Sequence, residues 1–161
     1  MLNVQKTHFI TEPNQKTVTM KRLFDFPKET IFDAMTKPEL LRLWYGLPEN
    51  ETTVCESDLR IGGAYRIVQR TSDGFEIGFR GEHLELAYPN HRKYTWIFEL
   101  MPDKEAVITE TFDTQGNQTL FTAVITFASV EDRDNYLKFG ATAGGEASLN
   151  RLENLLVTID H

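Results

Sequence analysis

Between Thr52 and Phe127 the chain divides into six stretches of strand character, near 52–59, 62–70, 75–86, 92–100, 105–114 and 118–127. The breaks are Gly62-Gly63, Ser72-Asp73-Gly74, Tyr88-Pro89-Asn90, Met101-Pro102-Asp103 and Gln115-Gly116-Asn117. Each holds Gly, Pro or Asn, the residues that suit turn geometry. Connections this short join antiparallel neighbours, which makes the segment a meander and not a βαβ series. One further strand precedes it, over 17–26, with Val18, Met20, Phe24 and Phe26 on one face at period two. A seven-stranded antiparallel sheet with one apolar face needs a cover. The element long enough to supply it is a helix over 142–159, where Leu149, Leu152, Leu155, Leu156 and Ile159 form a stripe at helical spacing. The sheet must curl to close around that helix. The space left between the two is where a ligand would sit.

Two short helices fill the gap between the first strand and the meander. Residues 11–16 read as a polar lead-in, and Pro27 fits a first helical turn, where its missing N–H is not needed. Ile31, Phe32 and Met35 then lie on one side. Thr36-Lys37-Pro38-Glu39 has capping-box spacing and opens a second helix, with Leu40, Leu41, Leu43 and Trp44 on one face and Gly46 and Pro48 as its end. Ser129 and Asp132 repeat that spacing before a helix from Val130 to Phe139, which Gly140 interrupts. Gly144-Gly145 weakens the start of the long helix by about 1 kcal/mol per residue relative to Ala. The expected architecture is α+β. A curved seven-stranded antiparallel sheet grips a long C-terminal helix, with two short helices after the first strand, all in one domain spanning 1–161.

Charge limits the partners. The net charge of −7 repels a phosphate backbone and an anionic membrane surface, so neither nucleic acid nor membrane is an expected partner. The sequence contains no apolar run of bilayer-spanning length. Met1 to Ile10 lacks the basic start and apolar stretch of a signal peptide, and the lone Cys55 leaves no internal disulfide. Together these point to the cytoplasm.

Several stretches, in order, resemble a known family. Arg22-Leu23-Phe24 and Pro27 lead into Phe32-Asp33-Ala34-Met35-Thr36-Lys37-Pro38-Glu39-Leu40 and Trp44. Ser57-Asp58-Leu59-Arg60-Ile61-Gly62-Gly63-Ala64-Tyr65 reads as a "DxRxGGxY" hairpin. Gly81-Glu82-His83-Leu84-Glu85-Leu86, Pro89 and Thr95-Trp96 follow, then Thr109, Phe112, Gly116 and Thr119, and finally Leu149, Leu152 and Leu156. The pattern is similar to the activator-of-heat-shock-protein-90-ATPase-like family within the START-like superfamily, over about 17–159. The resemblance implies the helix-grip fold and an internal cavity. It carries no shared catalytic set. One departure is Gly144-Gly145, where the family often has Gly-Trp, which leaves a cavity mouth more open.

Among the candidate site residues, Glu110 comes first. It falls between Ile108 and Phe112 on an alternating strand. If that face is the inner one, a carboxylate points into the cavity, where it needs a partner or becomes protonated. The alternatives are an outward face or a purely structural partner. Arg22 alternates with Met20 and Phe24 and poses the same question, with a structural ion pair or a snorkelling side chain as the plain reading and anion binding as the sharper one. Arg80, Glu82, His83 and Glu85 concentrate titratable groups on one strand, where His83 and Glu85 could share a face and Glu82 could not. The aromatic residues Phe75, Phe79, Tyr94, Trp96, Phe98, Phe112, Phe121 and Phe127 are core or pocket wall. Tyr65, Tyr94 and Trp96 add polar tips that could orient a ligand. The candidate ligand-binding set is therefore Glu110, Tyr94, Trp96, Phe112, Phe79, His83 and Tyr65. His8, His83, His91 and His161 lack ligand spacing, so no metal or cofactor is expected.

Three functions stay open at this level. The first is a non-enzymatic module that holds a small apolar, aromatic or lipid-like ligand. The second is a chaperone-associated stress factor, which the resemblance suggests and which needs an exposed apolar patch, for instance around Trp44 and Tyr45. The third is a cyclase- or hydrolase-like enzyme that brings Glu110 together with Tyr94 or His83. A homodimer through the long helix or an edge strand is also open.

Overall fold

The computed structural model describes residues 6–159. Met1–Gln5, part of the stretch read for a leader, and His161 lie outside them. The chain runs β1 (His8–Ile10), β2 (Thr17–Phe24), α1 (Lys28–Thr36), α2 (Pro38–Leu41), β3 (Glu51–Ser57), β4 (Ala64–Arg70), β5 (Glu76–Ala87), β6 (His91–Phe98), β7 (Glu105–Gln115), β8 (Gln118–Thr126), α3 (Val130–Lys138) and α4 (Ala141–Ile159). The sheet has eight strands among the described residues, in the order β1-β2-β8-β7-β6-β5-β4-β3, and every pairing is antiparallel.

The meander, its turns and the gripping helix are as the sequence predicts. The strand count is one higher than expected. The extra strand, β1, pairs His8 with Lys21 and Ile10 with Thr19. It is three residues long, too short to show a period of two. The polar lead-in is its turn, with Asn14 at φ 65°, a left-handed conformation that Asn tolerates.

The inner face of the sheet follows from alternation. On β7 it presents Ala106, Ile108, Glu110 and Phe112; on β8 Thr119, Phe121, Ala123 and Ile125. Against it lie Leu149, Leu152 and Leu156 of α4, all buried. Each contributes about 1.5–3 kcal/mol of apolar burial. Ile159, expected in the same stripe, is 45% exposed, because the helix runs past the edge of the core there.

The short helices differ in detail from expectation. Pro27 is the N-cap of α1, in extended conformation (ψ 150°), and not a residue of its first turn. Thr36 does not cap α2; its hydroxyl donates back to the carbonyl of Phe32 at 2.7 Å, and Lys37 occupies the cap position without a side-chain bond. The apolar face of α2 is correspondingly narrow. Leu41 and Trp44 are buried, but Leu43 is 52% exposed, since the helix ends after one turn. Ser129 does cap α3, accepting from the Asp132 amide at 3.0 Å.

Candidate functional site

A cavity of about 540 Å³ lies between the curved sheet and the first half of α4, roofed by the segment 44–47 and flanked by α3. Its position follows from the strand period. Ile77, Phe79 and His83 on β5 and Arg92, Tyr94, Trp96 and Phe98 on β6 all face inward and line it. Phe79 stacks between Trp96 and Phe98, with centroids 5.4 Å and 5.5 Å away and planes 21° and 23° apart. Tyr45 meets Phe79 edge-on at 5.8 Å, and Tyr136 of α3 meets Trp96 edge-on at 6.1 Å. This forms an aromatic wall.

The roof is tied down from α4. Arg151 Nη1 donates to the carbonyls of Tyr45, Gly46 and Leu47 at 3.1–3.2 Å, and Ser148 Oγ accepts from the Gly46 amide at 2.9 Å. Gly46 sits at φ 85°, which favours glycine, and an added Cβ would run into Gln69, whose amide donates to the Tyr45 carbonyl. Trp44 is buried and its indole donates to the Ala34 carbonyl at 2.9 Å, while Tyr45 turns inward. The outward patch expected around Trp44 and Tyr45 is therefore not formed by those two rings.

One corner of the cavity is polar. Arg92 Nε donates to Glu110 Oε1 at 2.5 Å, and Tyr94 Oη donates to Glu110 Oε2 at 2.9 Å. The Arg92 guanidinium also lies over the Tyr94 ring, 4.3 Å from its centroid. Burial works against the Arg92 charge, but the adjoining Glu110 carboxylate more than offsets it and raises its pKa. Burial, reinforced by Glu110, pushes the Tyr94 phenol well above its ordinary value, so it remains a donor. Tyr65 is likewise raised by burial, and its hydroxyl donates to the Thr95 carbonyl at 2.7 Å. His83 places Nε2 2.8 Å from Ser57 Oγ; burial and then the Arg92 charge lower its pKa, although Asp58 opposes them.

Among the aromatic candidates, Phe98, Phe121 and Phe127 line the cavity, while Phe75, at the turn before β5, is exposed. Of the candidate ligand-binding set, Glu110, Tyr94, Trp96, Phe79, His83 and Tyr65 line it. Phe112 does not. It is 1% exposed behind the wall, packed on Phe32 at 5.2 Å and Phe121 at 5.5 Å, because β7 passes beneath α1 at that point. Glu110 does face inward, and it has a partner. His83 and Glu85 do not share a face: a β-bulge between them shifts the register, and Glu85 pairs outward with His91 at 2.8 Å. Arg22 does not approach Glu110. It is buried between β2 and α4, bonded to Asn150 Oδ1 at 2.8 Å and Thr7 Oγ1 at 3.2 Å, and ion-paired with Glu153 at 3.3 Å. The sequence reading missed Arg92, Tyr45, Tyr136 and Ser57. Arg92 was detectable, since period two places it on the face of Tyr94 and Trp96; Tyr45 and Tyr136 arrive from non-local elements and carry no such signal. Burial raises the Cys55 thiol, which leaves it little thiolate character. Among the described residues, no helix is long and apolar enough to cross a membrane, and no cluster of three or more His, Cys, Asp or Glu could hold a metal ion.

The sequence profile of the family described as Activator of Hsp90 ATPase homolog 1-like protein matches residues 25–157. No curated protein matches the chain. Among solved structures, a Mycobacterium smegmatis protein is 24% identical, with 93% of this chain and 96% of that one covered and a TM-score of 0.83. A Rhodobacter sphaeroides protein is 21% identical, with 96% and 100% covered and a TM-score of 0.87. The AHSA1 protein of Silicibacter pomeroyi is 17% identical, with 90% and 99% covered and a TM-score of 0.71. These likenesses establish the shared helix-grip fold.

Proposed function

Because the chain belongs to the Activator of Hsp90 ATPase homolog 1-like family, whose fold encloses a space between sheet and helix, we propose that it is a non-enzymatic binding protein for a small, largely apolar molecule. The observation that carries this reading is the cavity itself. Its volume of about 540 Å³ falls in the range that suits small ligands. Its wall is aromatic, and its buried ion pair, Arg92 with Glu110, sits together with Tyr94 in one corner, the kind of localised polar group by which pockets orient an apolar guest. Glu110 is held by two donors, Arg92 and Tyr94, which suits a positioning group better than a free base.

The test is a thermal-shift screen of the purified protein against neutral aromatic and lipid-like compounds. A ligand at about 100 times its Kd stabilises the native state by about 2.7 kcal/mol. At this chain length that raises Tm by roughly 5–10 °C. The expected result is a shift for at least one class, lost in a folded Trp96→Ala variant. Absence of any shift across the set contradicts the proposal.

A further inference from the structure

The polar corner has donors to spare. Arg92 uses only Nε, on Glu110. Neither Nη group has a hydrogen-bond partner among the described residues, and neither is sealed from accessible space. Both Nη groups thus keep accessible surface on a residue that lines the cavity. A guanidinium in a largely apolar chamber with unfilled donors calls for an oxygen acceptor on the guest.

The charge of that guest follows from the ions around it. Apart from its tyrosines, whose phenols burial keeps neutral, five ionisable side chains line the cavity: His83, Arg92, Lys104, Glu110 and Asp132. Arg92 is paired with Glu110, and Lys104 with Asp132 at 3.3 Å at the mouth. His83 is held toward its neutral form by burial and by Arg92. The charges sum to zero. A guest anion would sit on Arg92 beside the Glu110 carboxylate with no compensating cation, and desolvating an uncompensated charge is costly. A neutral acceptor fills the same Nη donors without that penalty.

We propose that this corner is a head-group subsite that selects uncharged guests carrying a carbonyl-type oxygen, as in a ketone, ester or amide, over both the bare hydrocarbon and the carboxylate. The inference rests on the cavity reading above and adds the chemistry of the guest. Arg92 Nη donates to the oxygen; Glu110 and Tyr94 hold the guanidinium in place; Phe79, Trp96 and Phe98 receive the apolar body.

Three probes with one ring system separate the terms: acetylnaphthalene, ethylnaphthalene and naphthoate. Their dissociation constants are measured at neutral pH on the wild-type chain and on the Arg92→Met/Glu110→Leu double variant, which removes both charges together and so leaves neither one unpaired. The expected result is that the ketone binds the wild type about tenfold tighter than the hydrocarbon, the worth of one good hydrogen bond to a charged donor. Naphthoate binds more weakly than the ketone. In the double variant the ketone loses its advantage while ethylnaphthalene still binds. If ethylnaphthalene equals the ketone on the wild type, or naphthoate exceeds it, the subsite is wrong and the cavity reading stands. If the ketone keeps its advantage in the double variant, the oxygen docks elsewhere and the assignment to Arg92 is wrong. If none of the three binds the wild type, both fall.

Discussion

Breaking the Arg92–Glu110 pair from either side, and then removing it whole, tests the polar corner as a unit. The side chains of Arg92 and Glu110 are only 10% and 7% exposed. Glu110→Leu leaves a guanidinium enclosed without its counter-charge, which typically costs 3–5 kcal/mol. The lower end, about 3 kcal/mol, applies here because the Nη groups keep accessible surface and can take up water there. Arg92→Met leaves Glu110 with the Tyr94 donor and with the cavity beside it to admit water, so the loss is smaller, about 2 kcal/mol. Replacing both by apolar groups of similar size removes the desolvation cost along with the attraction; with the Tyr94 hydroxyl, which loses its acceptor, free to bond water in the cavity, the double variant should lie within about 1 kcal/mol of the wild type. The singles sum to about 5 kcal/mol and the double loses about 1, a coupling of about 4 kcal/mol. At 2–4 °C per kcal/mol for this size, Glu110→Leu lowers Tm by roughly 6–12 °C and the double variant by no more than about 4 °C. Denaturant titration of the four proteins, with m-values compared, gives the cycle. A double variant that loses the sum of the singles within about 0.5 kcal/mol would refute the buried-pair reasoning.

Other perturbations reach other parts of the structure. Arg22→Met removes the link from β2 to Asn150 and Glu153 of α4 and should cost about 2 kcal/mol, below the full value for a buried pair because Glu153 is 22% exposed and can turn to water; a denaturant midpoint equal to the wild type would show that the network is idle. Gly81→Ala drives a Cβ into the backbone carbonyl of Thr95 and against the Tyr65 ring, and should cost more than about 2 kcal/mol, whereas Gly116→Ala, at φ 63° with open space around it, should cost only about 1 kcal/mol; equal losses contradict the close approach of β5 to β6. His83 has a lowered pKa in the folded state, so below the unfolded value of about 6.5 the unfolded chain binds the proton that the folded one refuses. Stability is fully present above that pH and is lost on acidification toward the folded value. His83→Gln should flatten that part of the stability profile, and an unchanged slope would show that His83 does not supply it.

The fold was legible because its signals are local. Alternation in β7 and β8, glycine turns such as Gly116, the Ser129 cap and the leucine stripe of α4 each need only a few neighbouring residues to be read. The misses share a different cause. The pairing of β1 depends on Lys21 and Thr19, not on anything within His8–Ile10. Thr36 had the right spacing for a cap, but its hydroxyl found the Phe32 carbonyl one turn back. For the site, period two placed Glu110, Tyr94 and Trp96 on the inner face. It could not say that Phe112, on that same face, is covered by α1, or that Tyr45 and Tyr136 swing in from other elements. Arg92, second residue of β6, alternates with Tyr94 and Trp96, so period two places it on the same inner face.

Both tryptophans, Trp44 and Trp96, line the cavity, so the protein carries its own reporter. In a Trp44→Phe variant the remaining emission comes from Trp96, on the aromatic wall. Titration with acetylnaphthalene while this emission is followed should give a saturable change at one probe per chain, competed away by an unlabelled apolar ligand found in the thermal screen. A change that is linear in probe, or no change at concentrations that saturate the stability shift, would mean that the guest is not in the cavity.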